Sequence, residues 1–179
     1  MHPVRRVVTG HSPDGTAVFV SDQTVQPYIA GIGGGFSQLW GGDAAPSFPD
    51  DGLRPPATSY FPPVGGFRFG LFSVPPHDVV VDPSVDLGES LAAFEQQLPG
   101  LLQYMEPDNP GMHTTPTVDF EVVISGEVVL ELDDGAEVTL RAGDTVVQNG
   151  TRHRWSNRGS EPAVLAVFIC GAHHQRFDT

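Results

Sequence analysis

His113, Asp119, Glu121 and His153 carry side chains able to move a proton or hold a metal. Three of them fall in one alternating, glycine-punctuated stretch, 111-GMHTTPTVDFEVVISGEVVLELDDG-135. Side chains at i and i+2 of a strand share a face, so Asp119, Glu121 and Val123 point one way and Phe120, Val122 and Ile124 the other. The same rule sets His113 with Thr115, and His153 with Trp155 and Asn157. If Asp119 faces an interior, so does Glu121. Two carboxylates on one interior face are costly unless a metal, an arginine or a shared proton offsets them. A cation between Asp119 and His153 would stabilise both. Without one, repulsion and desolvation raise one carboxyl pKa toward neutrality, which is what a general acid or base needs. Metal site, metal-free acid–base site and polar strand trim all remain open at this point.

The elements that must position these residues are short strands. Alternation and turn residues predict strands at 4–10, 16–22, 36–40, 67–74, 117–126, 127–134, 136–140, 145–148, 152–157 and 163–169. In 67-FRFGLFSV-74 apolar residues fall on both registers, which predicts burial on both faces. Asp134-Gly135 marks a hairpin turn, and this accounts for Asp133 and Asp134 better than a calcium loop does. Residues 86–98 change period: Leu87, Leu91, Phe94 and Leu98 recur at helical spacing, and Pro99-Gly100 ends that helix. The Pro- and Gly-dense segment 41–66 and the irregular 101–110 connection are candidate walls of a binding site. Short strands with turns every eight to twelve residues imply an all-β sandwich or small barrel.

The chain has 179 residues, a formal charge of −13, nine arginines and no lysine. The charge disfavours a nucleic-acid partner, and the absence of lysine excludes Schiff-base chemistry on that residue. Cys170 stands alone in an apolar run, which reads as a buried, inert thiol. The N-terminus lacks the apolar stretch of a secretory signal, and the longest apolar run is too short to span a bilayer; a soluble, cytoplasmic protein is expected. His11, His77, His173 and His174 lie in turns or near the end of the chain, where solvated roles are expected.

Two motifs carry a resemblance to a known family. Gly111, His113, Thr115, Asp119 and Gly126 follow the first cupin motif, and Gly143, Gln148, Gly150, His153 and Asn157 follow the second, with a gap from Gly143 to Gly150 one residue shorter than usual. The chain resembles a small bacterial cupin over about residues 111–170. Residues 1–100 resemble, more loosely, an N-terminal extension of strands, Pro/Gly-rich loop and short helix, set before a barrel core at 101–179 within one structural domain.

The resemblance implies an all-β cupin jelly-roll barrel with N-terminal strands extending one sheet and one short helical segment. It also implies a metal ligand set of His113, Asp119 and His153, suited to Fe(II), Mn(II), Ni(II) or Zn(II). The chain departs from the family where Thr115 replaces a ligating histidine, Asp119 replaces a glutamate, and Gln148-Asn149 replaces a proline before the second-motif glycine. These departures keep a metal-free site close behind. The implied function is a lyase or isomerase (dehydration, decarboxylation or cyclisation) that works by metal-assisted acid–base chemistry on a small oxygenated acid or pathway intermediate. Glu121, His153 and His113 would be its catalytic groups, and Gln148, Trp155 and Thr115 its substrate contacts. An Fe(II) dioxygenase on the same ligands and a non-catalytic small-ligand-binding cupin are the alternatives. A homodimer is expected, with no membrane partner.

Overall fold

The computed structural model describes residues 1–30, 34–78 and 86–177. Within them run strands β1 (Val4–His11), β2 (Ala17–Val25), β3 (Tyr28–Ile29), β4 (Gly35–Gly42) and β5 (Phe67–Val74), then helix α1 (Leu87–Gln97). They are followed by β6 (Thr117–Ser125), β7 (Glu127–Glu131), β8 (Glu137–Arg141), β9 (Thr145–Asn149), β10 (Arg154–Ser156) and β11 (Ala163–Gly171). A six-stranded sheet in the order β3-β4-β5-β11-β6-β9 faces a three-stranded sheet, β10-β7-β8, and β1-β2 form a separate hairpin. Every pair is antiparallel. The all-β reading is borne out. Strands from the first hundred residues are built into the same large sheet as those of the last eighty, with β5 lying beside β11.

The alternation predicted for β6 is what the fold uses. Thr117, Asp119, Glu121 and Val123 are buried, whereas Phe120, Val122 and Ile124 face outward and are exposed. Across the sheet Asp119 lies opposite Ile169 and Gln148, and Glu121 lies opposite Val167 and Val146. The inward face of β6 therefore carries a pair of acids whose ladder partners are Ile169, Val167 and Val146, with Gln148 polar beside Asp119. Further along, Val123, Val128, Leu130, Leu140, Ala163 and Leu165 close one core between the two sheets. A second core joins Phe61, Phe94, Leu98, Leu101, Val167 and Ile169. Phe72 packs against both.

Two expectations need correction. β5 is not buried on both faces: Phe69 is 42% exposed on the outer face, while Arg68 is buried on the inner register opposite Ile169. Arg68 tolerates that position because its guanidinium is almost fully paired. It donates to the carbonyls of Ser59, Gly42 and Phe67 and to Asp43 Oδ1 at 2.5 Å. In α1, Asp86 accepts from the Glu89 N–H at 3.0 Å and caps the helix. Burial then begins a turn later than the periodicity predicts, so Phe94 and Leu98 are buried but Leu87 is 60% exposed. The Asp134-Gly135 turn forms with both residues at positive φ (57° and 70°). No helix among the described residues is long and apolar enough to cross a membrane.

Arg68 therefore clamps the 42–59 segment that delivers Tyr60 and Phe61 to the interior. Removing one partner of a buried ion pair costs about 3–5 kcal/mol, so Arg68→Ala should lower urea-denaturation stability by about that much. A loss under about 1 kcal/mol would show that the clamp does not hold the loop.

Candidate functional site

The two histidines are brought together by their own backbones. The His113 N–H donates to the His153 carbonyl and the His153 N–H to the His113 carbonyl, each at 2.9 Å. That doubly bonded pairing sets the ring centroids 4.1 Å apart. Each Nδ1 also sits at hydrogen-bond distance from a carbonyl two residues earlier, Gly111 O at 3.0 Å and Thr151 O at 2.9 Å. A carbonyl can only accept, so Nδ1 carries the proton and each neutral ring keeps its lone pair on Nε2. Burial lowers the His113 pKa. Burial, and then the charge of His113, pushes His153 down to about 3. Both rings are neutral bases at physiological pH.

The acids are displaced in the opposite direction. Asp119 is 5% and Glu121 6% exposed, and Asp119 Oδ1 and Glu121 Oε2 are buried with no hydrogen-bond partner. Desolvation pushes Asp119 up to about 7, against a hydrogen bond from Thr117 that pulls it down. Desolvation, reinforced by the charge of Asp119, pushes Glu121 up to about 8. Tyr60 is raised as well, first by burial and then by Asp119 and Glu121, so its phenol stays protonated.

All four groups line one cavity of about 330 Å³, near the lower end of the usual range of ligand pockets, roughly 300–1,000 Å³. Aromatic rings form much of the wall, among them Phe36, Tyr60, Phe72, Phe94 and Trp155. The cavity opens where the two cores meet. Both segments expected to supply walls do so, the first with Tyr60 and Phe61, the second with Leu101 and Met105.

Of the residues predicted from sequence, His113, Asp119, Glu121, His153 and Trp155 line the cavity, while Gln148 and Thr115 do not. The Gln148 amide donates to Thr151 O at 3.0 Å and Thr151 Oγ1 at 2.5 Å, steadying the turn before His153. Thr115 shares a 2.8 Å hydroxyl hydrogen bond with Thr117. Sequence reasoning missed Phe36, Phe72 and Phe94 as site residues, because each comes from an element outside the motifs and the expected wall segments. His174 is not merely solvated: its Nε2 lies 3.2 Å from the Gly150 carbonyl. His11 likewise meets Asp50 O at 3.1 Å through Nδ1.

His113, Asp119 and His153, the expected ligand set, all line that cavity. Among the described residues, no three His, Cys, Asp or Glu side chains converge where they could hold a metal ion. The histidines share one backbone bridge, but Asp119 belongs to the β6 pairing with β9 and β11, and Thr115 is bonded to Thr117. Two imidazoles alone fall short of the three protein ligands usual for a catalytic metal.

The sequence model of the Cupin domain matches residues 101–170, the span that carries His113, Asp119, Glu121 and His153. Those residues carry a Cupin domain. Over 60 residues the chain is 43% identical to oryzines biosynthesis cluster protein J of Aspergillus oryzae, covering 34% of each chain. It is 41% identical over 46 residues to a cupin-domain-containing oxidoreductase of Hypocrea virens, covering 26% of this chain and 24% of that one. The matches span about a third or less of these relatives' length. A Cupin 2 conserved barrel domain protein from Salinispora arenicola aligns over 67% of this chain and 72% of its own, at 20% identity and a TM-score of 0.39.

The displaced pKa values set the pH dependence of folding. An acid with a raised folded-state pKa contributes stability that is full below its unfolded pKa and is lost as pH rises through the folded value. For Asp119 and Glu121 that loss runs from about 4 to about 7 and 8. His153, lowered to about 3, acts oppositely and adds stability between about 3 and 6.5. Above pH 6.5 only the loss remains. The melting temperature should fall between pH 6.5 and 8.5, and the Asp119→Asn/Glu121→Gln double variant should remove that fall. An identical fall in the variant would place the proton release elsewhere.

Proposed function

We propose that this cupin is an enzyme that transfers protons on a small molecule held in the cavity, as a lyase or isomerase does. The carrying observation is the buried acid pair, Asp119 and Glu121, whose unpaired oxygens lie in the wall of an aromatic cavity beside two neutral histidines. An acid poised near neutrality and a neutral imidazole with a free Nε2 are a matched donor and acceptor. Glu121, protonated, donates to a carbonyl or departing hydroxyl oxygen of the substrate. His113 or His153 accepts the proton removed from carbon through Nε2. Asp119 raises the proton affinity of Glu121, and Trp155 with its neighbouring rings orients the substrate and keeps water out.

The names of relatives support a small-molecule role, since three of them are proteins of biosynthesis clusters. Other relatives are named oxidoreductases, which favours a second reading, a redox step in the same cavity. The acid–base reading needs no metal. The outer face of the large sheet exposes Phe69, Phe120, Val147 and Phe168, which supports a homodimer through that face.

Solvent exchange tests the proton-transfer reading without knowledge of the substrate. In D₂O, with a panel of small carbonyl compounds, the wild type should incorporate deuterium beside the carbonyl, as read by proton NMR. Glu121→Gln should lose about 10²–10⁴-fold of that rate, and the wild-type rate should survive dialysis against a chelator. Unchanged exchange in Glu121→Gln removes Glu121 from the chemistry. Loss on chelation, restored by a divalent ion, displaces the metal-free reading.

A further inference from the structure

The charge inventory of the chain bears on what the cavity admits. Every permanently cationic side chain is one of nine arginines, and all nine lie within the described residues. Six are held in ion pairs with carboxylates. Arg6 donates to the Leu39 carbonyl, Arg176 to the Thr114 hydroxyl, and Arg54 lies near Arg6 and Arg68. None of the nine lines the cavity. The polar groups that do include two acids and two imidazoles whose Nδ1 protons are already engaged by backbone carbonyls. An anionic substrate would therefore enter the cavity beside two carboxyls, with no guanidinium or ammonium to receive it. Specific carboxylate binding usually relies on such a group.

The opposite wall is built for a ring. Phe36 meets Tyr60 and Phe94 edge-on at 6.1 and 5.6 Å, and Phe72 meets Trp155 at 6.2 Å. These contacts hold the aromatic side chains at fixed angles around the space, while Val167 and Ile169 floor it between the acids and the rings. Asp119 Oδ1 and Glu121 Oε2 are buried polar atoms without a partner, and a buried group in that state calls for one.

We propose that the substrate is a neutral, ring-bearing molecule that presents a hydroxyl or carbonyl oxygen to Asp119 and Glu121, and that the cavity rejects the small anionic acids expected from the sequence. This proposal rests on the proton-transfer reading of the same site and narrows it. The ring lies among Phe36, Phe72 and Trp155, and the oxygen end completes the hydrogen bonding of the acids. A cation would suit the rings, but it would be matched only if one acid first gave up a proton that burial helps it keep.

Three probes of one skeleton test this by isothermal titration calorimetry at pH 7: 3-phenylpropan-1-ol, 3-phenylpropanoate and 3-phenylpropylammonium. The alcohol should bind at least about tenfold more tightly than either ion, and Trp155→Ala should weaken it about tenfold while leaving the ions unaffected. Equal or tighter binding of the carboxylate overturns the proposal. Tightest binding of the ammonium overturns it in favour of an amine ligand, and no binding by any probe at millimolar concentration overturns the aromatic-ring assignment. The two readings fail separately. A carboxylate preference with exchange still dependent on Glu121 sinks only the substrate class. An alcohol preference with exchange independent of Glu121 sinks only the proton transfer.

Discussion

Burying Asp119 and Glu121 on one face of β6 with no counter-charge is the constraint around which the interior is arranged. A strand cannot turn one of them inward without the other, and the apolar partners Val167 and Ile169 leave nothing to neutralise them. The structure accommodates this by keeping them protonated near neutrality and by placing neutral histidines in the same cavity. Such a face is a poor way to stabilise a fold. A residue as ordinary as valine at either position would bury more apolar surface without the desolvation penalty.

The surrounding elements make sense as supports for that cavity. The His113–His153 backbone bridge sets the imidazole pair, and the two carbonyl contacts fix its tautomer. Gln148 holds the turn through Thr151, the residue whose carbonyl receives His153 Nδ1. Arg68 anchors the segment that brings in Tyr60 and Phe61, and α1 contributes Phe94. The first hundred residues thus build one wall of the site, and the cupin-matched segment builds the reactive one.

Much of this was legible in the sequence, for definite reasons. Period-two alternation fixes the inward face of β6 once any one residue is known to be buried, so spacing alone pairs Asp119 with Glu121 on that face. The glycine spacing around His113 and His153 pointed to the same pocket. What could not be read was long-range. No local pattern says that Arg68 turns inward, because its compensation comes from Asp43 and Ser59 across a loop. Nor could Phe36, Phe72 and Phe94 be assigned to a site wall, since an aromatic residue on a strand or helix reads as core. Nor does motif spacing settle a ligand set: it places residues along the chain, whereas convergence on one point depends on which strands pair.

The central claim is that the Cupin domain of this chain keeps a protonatable acid pair in a buried cavity. Carboxyl ¹³C NMR titration of the protein labelled at aspartate and glutamate, assigned with Asp119→Asn and Glu121→Gln, tests it most directly. The account predicts two resonances with midpoints near pH 7 and 8. Both residues titrating at the ordinary values near 4 would contradict it.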